Sequence, residues 1–325
     1  MQRTSPTTNV KPGARQRDGL TLIELLIVTV IIGMLVAMIA PALMGAFSTA
    51  RDAGVITEIK QLESAVTAFK TVYGVEPPSR VIIYEAPAGW TGDTESRSAI
   101  RRIWPQYDFT TAHHATNFNR DLTGDGDAND EIRLNAGEAL VFFLGGVVNR
   151  STGAAEGFAK NPARPFLPAS AAASREGPFF EFDPARFVDL DSNFTTGSGA
   201  GNTEWGWREY RDNLPAQTKP YLYFSSREGR GYQTLTTPID GTFVDVYRVF
   251  NPTSGTATPN APGVGASLSS AYPAHKPQTF QIISPGVDGV YGKGGVFNPA
   301  KPLSWLADVG DYDNLTNFHG GRLKR

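Results

Sequence analysis

The sequence contains no cysteine. That excludes disulfide staples, thiolate metal sites and a cysteine nucleophile. It does not assign the chain to the cytosol, because an exported protein can fold without cysteine. Charge is also scarce: Asp, Glu, Lys and Arg make up 19% of the chain and the net charge is −2. No general attraction to nucleic acid is therefore expected. The four histidines are His113, His114, His275 and His319. The adjacent pair has no HExxH setting and reads as an exposed pair in a polar loop, and the chain has no Gly-x-Ser-x-Gly elbow. What is plentiful is glycine, at 34 residues, and proline, at 23. That balance favours a loop-rich, β-containing fold over a helix bundle. The 325 residues suffice for one large domain or two small ones.

One long uncharged run stands out. Leu25 to Met44 is 20 residues, about 30 Å as a helix, which matches a bilayer core. Before it, residues 1–19 carry Arg3, Lys11, Arg15 and Arg17 against Asp18. Positive flanks stay cytoplasmic, so the bulk of the chain is expected outside. A secretory signal peptide cut after Ala50 and a simple signal anchor are the ordinary readings. Neither explains Glu24, at the mouth of the run. An ionised, unpaired carboxylate in lipid costs a few kcal/mol. A free amino terminus at Leu20, made by cleavage after Gly19, would supply a cation and leave Glu24 fifth in the mature chain. Residues i and i+4 share a helix face, so the amine of the same chain or of a neighbour can meet it.

The stretch Gly19-Leu20-Thr21-Leu22-Ile23-Glu24-Leu25-Leu26 resembles the class III signal of type IV pilins and type II secretion pseudopilins. The resemblance implies that a prepilin peptidase, a membrane aspartic protease, cuts after Gly19 and N-methylates Leu20. It implies that Glu24 guides docking of the subunit into a helical filament, and Pro41 matches the family's proline in the membrane helix. The implied partners are other copies of the chain, other pseudopilins, the inner-membrane platform of a secretion system, and membrane lipid before assembly. The implied location is the inner membrane, single-pass with a cytoplasmic amino terminus, then a periplasmic or surface filament.

Beyond Arg51, apolar residues fall at Ile56, Ile59, Leu62, Val66, Phe69 and Tyr73. Spacings of three and four make one stripe on a helix. Glu58, Lys60, Glu63 and Lys70 are left largely on other faces. Gly74 and Pro77-Pro78 are stop signals. The expected fold is α+β: a leader over 1–19, a long helix over 20–78 with a membrane half and an amphipathic half, and an extracytoplasmic domain over 79–325. The amphipathic half should pack on an antiparallel sheet with long loops. Asn135 and Glu138 read as a capping pair before AGEALVFFLGG, a short helix ended by Gly145-Gly146. Strands are expected around 221–225, 243–250 and 280–283. Residues 150–178 read as a loop and 251–277 as a surface excursion.

Two acidic clusters carry possible metal chemistry. In DLTGDGDANDEI, Asp121, Thr123, Asp125 and Asp127 have EF-hand spacing around Gly126. The twelfth position is Ile132 rather than Glu, so a solvated acidic turn stands beside the metal-loop reading. The second cluster is ISPGVDGVYGKGG at 283–295 with DVGDYDNLTNF at 308–318. Its Ser-x-Gly-x-Asp-Gly-x-x-Gly run resembles the C-terminal calcium loop of major type II secretion pseudopilins. That likeness implies Ca²⁺ held by Ser284, Asp288, Asp311, Asp313 and Asn314. The intervening VFNPAKPLSW is longer than the family's loop, and a glycine-rich turn with solvated Asp residues is the other reading. The physical case for metal is that a cysteine-free, glycine-rich loop has few other means of order.

No acid/base pair or nucleophile emerges, so no enzyme is expected. Trp205, Trp207, Tyr221 and Tyr223 suit a core or sheet surface better than a glycan platform. The expected function is that of a pseudopilin-like filament subunit supporting protein export. The rival is a membrane-anchored extracytoplasmic domain that binds or hydrolyses glycans behind a borrowed signal.

Overall fold

The computed structural model describes residues 21–110, 122–123, 129–149, 154–168, 174–190, 204–233, 244–249, 272–300 and 309–323. The chain divides into two compact units, Met1–Thr49 and Ala50–Arg325. Helix α1 (Leu22–Tyr73) begins in the first unit and ends in the second.

Within the first unit, α1 is long and apolar enough to cross a membrane by length and composition. Pro41 lies inside it, so the carbonyl of Ala37 lacks its intrahelical donor. The threonine hydroxyls do not face the apolar surroundings unpaired. Thr29 Oγ1 donates to the Leu26 carbonyl at 2.9 Å, and Thr49 Oγ1 to the Gly45 carbonyl at 3.0 Å.

Within the second unit, the buried stripe of α1 is Val55, Glu58, Ile59, Leu62, Ala65, Val66 and Phe69. Its steps of three and four are those expected of a helix face against a core. One assignment is corrected: Glu58 lies on the buried face. Arg186 meets it with Nη1 to Oε1 at 2.5 Å and Nη2 to Oε2 at 2.6 Å, and Tyr221 OH donates to Oε2 at 2.7 Å. Ile56 is only partly buried. Gly74, in the left-handed region, closes the helix with its N–H on the Lys70 carbonyl at 2.8 Å.

After α1 come β1 (Arg80–Tyr84), α2 (Pro87–Gly92), α3 (Thr94–Ile103), β2 (Glu131–Asn135) and α4 (Ala136–Gly145). There follow β3 (Phe158–Ala159), β4 (Arg175–Glu176), a 3-10 turn (Pro184–Arg186), β5 (Phe187–Val188), β6 (Glu204–Trp205), β7 (Glu209–Tyr210) and β8 (Leu222–Ser225). The described chain ends through β9 (Tyr247–Val249), β10 (Phe280–Ser284), β11 (Gly295–Phe297), a 3-10 turn (Val309–Asp311) and β12 (Leu315–Thr316).

The α+β class stands, but the strands form several small ladders rather than one broad sheet. Two sheets have three strands, in the orders β1-β2-β6 and β12-β10-β8. β2 with β6 and β9 with β11 pair in parallel, and the other named pairs are antiparallel. The 150–178 stretch expected as loop contains the β3–β4 ladder. Residues 251–271 of the expected surface excursion lie outside the described residues; its end runs along the surface, with Pro273 and Pro277 exposed, and tucks Tyr272 and Ala274 into the core.

What the short strands do not supply, α4 does. All ten of its residues are buried. The expected capping glutamate is present: Glu138 Oε2 accepts from the Asn135 N–H at 2.9 Å, while its Oε1 accepts from the Trp207 N–H at 2.6 Å. Phe142 meets Phe143, Phe158, Phe166 and Trp207 edge-on or tilted, at centroid distances of 5.1 to 5.6 Å. Phe69 of α1 joins them through Phe143 at 5.8 Å. A second, smaller core surrounds Leu222, Phe224, Tyr247, Ile283 and Phe297. Its flanks reach α1 by ion pairs: Lys276 to Glu63 at 2.5 Å and Arg322 to Asp52 at 2.8 Å.

Two predictions follow from this packing. Removing one member of a buried ion pair costs ~3–5 kcal/mol. Arg186→Met should therefore lower the unfolding free energy of the full chain in detergent by roughly 3 kcal/mol. A denaturant midpoint displaced by less than the equivalent of ~1 kcal/mol would show a solvated pair of little weight.

The second concerns pH. His275 stacks on Phe318 at 4.4 Å. Burial lowers its pKa, and burial lowers that of His319 as well. A base with a lowered folded pKa takes up fewer protons folded than unfolded. The stability it contributes is present above the ordinary histidine pKa, near 6.5, and is lost as pH falls below it. Melting temperature should thus drop as pH falls below about 6.5, and His275→Phe should flatten that drop. An unchanged slope in the variant would remove His275 from the account.

Candidate functional site

Gly19 and Leu20 lie outside the described residues. Thr21 and Glu24 do not, and they form a reciprocal cap on the first turn of α1. Glu24 Oε2 accepts from the Thr21 N–H and from Thr21 Oγ1, each at 2.8 Å. The Glu24 N–H returns a longer bond to Thr21 Oγ1 at 3.3 Å. A helix start has N–H groups with no intrahelical acceptor, and Thr-x-x-Glu is a sequence that supplies one. The signal for this partner is the Thr-x-x-Glu spacing of Thr21-Leu22-Ile23-Glu24, which the expectation of a cationic partner for Glu24 leaves out. Around the cap the side chains are apolar and exposed: Leu22, Ile23, Leu25 and Leu26 are each more than half accessible. The carboxylate is thus hydrogen-bonded locally and is still open to a further partner.

The C-terminal cluster is built by two segments, 284–294 and 309–314, meeting face to face. Glycine makes the approach possible. A Cβ on Gly286 would stand 2.4 Å from the Asp313 carbonyl oxygen, and one on Gly292 would stand 2.5 Å from Asp311 Cγ. Asp313 Oδ2 accepts the N–H groups of Val287 at 2.6 Å and Asp288 at 3.0 Å. Asp311 Oδ1 accepts Tyr247 OH at 2.7 Å and the Gly294 N–H at 2.9 Å. Burial, and then the charge of Asp311, raise the Tyr247 pKa well above its ordinary value, so the phenol stays a donor. Asn314 Nδ2 donates to Tyr247 OH at 2.8 Å and the Tyr291 carbonyl at 2.6 Å. Asp288, exposed at the tip, turns Oδ1 back to the Val290 N–H at 2.8 Å.

Ser284 is directed elsewhere. It is fully buried, and its Oγ donates to Asp212 Oδ2 at 2.6 Å. Asp212, which the sequence did not single out, also accepts from the Leu214 N–H and Gln217 Nε2. Burial raises its pKa against these hydrogen bonds. Among the described residues, two oxygens of the cluster meet no donor: Asp313 Oδ1 and Asn314 Oδ1 are buried and unpartnered. Among the described residues, no group of three acidic or imidazole side chains converges as a metal cage.

Of the first acidic loop, Asp121, Asp125 and Asp127 lie outside the described residues. Thr123 is buried and donates its hydroxyl to Asp130 Oδ2 at 2.6 Å. Glu85, also buried and not foreseen, accepts the Leu122 and Thr123 N–H groups. Trp205, Trp207, Tyr221 and Tyr223 are buried in the main core and present no open aromatic platform.

No curated protein and no solved structure matches the chain. Residues 14–40 match the prokaryotic N-terminal methylation motif. A basic flank, a Gly-Leu junction and a glutamate capping a long apolar helix thus stand together as a prepilin-type methylation signal, the arrangement of a pilin-like protein.

Proposed function

We propose that the chain is a pseudopilin-like structural subunit of a type II secretion or type IV pilus-like filament. The observation that carries the reading is the methylation motif at 14–40, set on a helix that continues past the apolar run into an amphipathic, core-packed half. The motif implies processing by prepilin peptidase, which frees the Leu20 amine beside Thr21. In the membrane, Glu24 is held by Thr21. On assembly it takes the methylated amine of a neighbouring copy, and the apolar faces of many copies are buried together out of lipid. The inner-membrane platform and other pseudopilins are the expected partners, and the role is structural rather than enzymatic. Breaking such a buried pair costs ~3–5 kcal/mol, and a subunit displaced along the bundle leaves both charges unmatched.

The C-terminal cluster extends the proposal to a structural Ca²⁺. Asp313 Oδ1 and Asn314 Oδ1 are the kind of hard oxygen acceptor that ion takes. Asp288 and Asp311 adjoin them. Ser284 fits less well, being committed to Asp212.

Mass spectrometry of the native chain should find N-methylated Leu20 at the amino terminus. Glu24→Leu should be cleaved and inserted yet yield few sheared filaments by immunoblot. A native start at Arg51 would restore the signal-peptide reading, and full filament yield from Glu24→Leu would end the pairing account.

For the metal, the full chain in detergent is stripped with EDTA and titrated with Ca²⁺. A ligand binding only the folded state adds ~2.7 kcal/mol at 100 times its dissociation constant. Asp313→Ala should abolish most of that gain, and Asp125→Ala run in parallel reports on the first loop. A melting temperature indifferent to Ca²⁺ would exclude a specific site.

A further inference from the structure

On the flank of α1, three side chains meet whose chemistry the filament reading leaves unused. Glu63 Oε1 accepts from two nitrogens at once, Lys276 Nζ at 2.5 Å and Asn317 Nδ2 at 3.0 Å. A primary amine and a primary carboxamide are thus held on one oxygen of one carboxylate. All three residues are half-buried.

The amide is oriented by its partners. Asn317 Nδ2 also donates to the Phe280 carbonyl at 3.2 Å, while its Oδ1 accepts the Ile282 N–H at 3.1 Å. Acceptors beside the nitrogen and a donor beside the oxygen leave one assignment of the two atoms. The Asn317 N–H in turn donates to the Ile282 carbonyl at 3.2 Å, so backbone and side chain are both fixed on β10. Lys276 is fixed as well. Its carbonyl accepts Tyr232 OH at 2.7 Å and the Thr279 N–H at 3.1 Å. Its backbone lies in the left-handed region at φ 51°, which a lysine keeps only where its surroundings impose it. The next residues hold the two segments together: His275 stacks on Phe318, with ring centroids 4.4 Å apart and planes 5° from parallel.

Each part has a use in acyl transfer. A lysine becomes a nucleophile when a base takes its proton, and Glu63 is in contact with it. A leaving nitrogen needs a proton, and the same oxygen faces it. A carbonyl under attack gathers negative charge on oxygen, where a fixed N–H stabilises it, and Ile282 supplies one. Holding both reactants on one frame removes the entropy cost of bringing them together.

We infer that Lys276 and Asn317 form an intramolecular isopeptide bond, with Glu63 as the catalytic base and acid. Lys276 Nζ passes a proton to Glu63 Oε1 and attacks Asn317 Cγ, and a C–N bond forms. Glu63 gives that proton to Nδ2 and takes the surplus one from the new amide nitrogen. The Cγ–Nδ2 bond breaks and ammonia departs, carrying the last proton as ammonium. No oxidant, reductant or further reactant is consumed. The bond closes residues 276–317 into a ring, a covalent staple in a chain without cysteine. The inference does not rest on the filament reading. An ion pair with no covalent chemistry is the competing reading.

The full chain, purified in detergent, is digested and examined by mass spectrometry. A branched peptide joining Lys276 to Asn317 should appear, lighter by one ammonia than its two parts. Lys276→Arg and Asn317→Ala should each abolish it. Glu63→Gln keeps the side-chain length and should abolish it too, while Glu63→Asp, still a base, should restore part of it. That rescue separates a base from a merely structural glutamate. Unlinked peptides from the parent chain would overturn the inference and leave an ion pair. A link from Lys276 to Glu63 with loss of water, or full linkage in Glu63→Gln, would overturn it as well.

Discussion

Glu58 is the constraint on which the large domain depends. A carboxylate in the middle of the stripe that α1 presents to the core must leave water, and an ion alone there would cost several kcal/mol. The surrounding chain is arranged to receive it. Arg186 sits in a 3-10 turn, whose start is fixed by the Ala185 N–H on Asp183 Oδ1 at 3.0 Å. The guanidinium lies over the Tyr210 ring at 4.3 Å and donates from Nη2 to the Arg211 carbonyl at 2.5 Å. Burial first, and then the charge of Glu58, raise the Tyr221 pKa far above its ordinary value, so that hydroxyl remains a donor. One residue of α1 thereby draws in the β5–β7 ladder and the residue preceding β8. Such a pair is a weak source of net stability, since apolar residues of the same volume often do as well. Its stronger effect is geometric. A forked guanidinium meets a carboxylate in few orientations, which fixes the rotation of a helix that apolar contacts alone leave freer.

The same helix carries a second glutamate under a different regime. Among the described residues, no guanidinium meets Glu24. Its donors are the N–H and hydroxyl of Thr21, supplied by its own first turn. That cap lessens the cost of placing a carboxylate beside a twenty-residue uncharged run, and it does so before any partner arrives. Because the cap uses Oε2, a cation can approach Oε1 without the helix start being unmade. Glu58 is satisfied from sequence positions 128 and 163 residues away, so it orders the fold. Glu24 is satisfied from three residues away, so it needs no fold and suits a segment in lipid.

These distances in sequence explain what was legible. Patterns closed within one element read well: the apolar run, the 55–69 stripe, the stop at Gly74, and the Asn135–Glu138 cap. The strands around 222–225, 247–249 and 280–284 were visible because their β-formers are consecutive. Glu58 was misplaced because nothing near it in sequence announces Arg186, and charge alone argues for solvent. The single sheet did not materialise because Pro- and Gly-rich connections cut the strands to two to five residues. The buried helix α4 became a hub in its place, and a run such as ALVFFL does not reveal whether one face or all faces are covered. Asp212 and Glu85 escaped notice for the same reason as Arg186: their donors are distant or are backbone N–H groups.

The C-terminal cluster tests a physical premise. A glycine-rich loop without cysteine was expected to need a cation for its order. The structure shows another means. Asp311 and Asp313 act as scaffolds, each carboxylate gathering N–H groups from the opposing segment. Gly286 and Gly292 allow the backbones to come close enough for those bonds to form. Loop order is therefore no argument for metal, since carboxylate-to-backbone bonding accounts for it. What the bonding does not account for is two buried oxygens of consecutive residues, Asp313 Oδ1 and Asn314 Oδ1. Asp313 spends one oxygen on the loop and keeps the other in reserve. Asn314 uses both amide hydrogens and leaves its carbonyl unmet. The case for Ca²⁺ rests on those two atoms, and the glycines serve the approach of the segments rather than the ion.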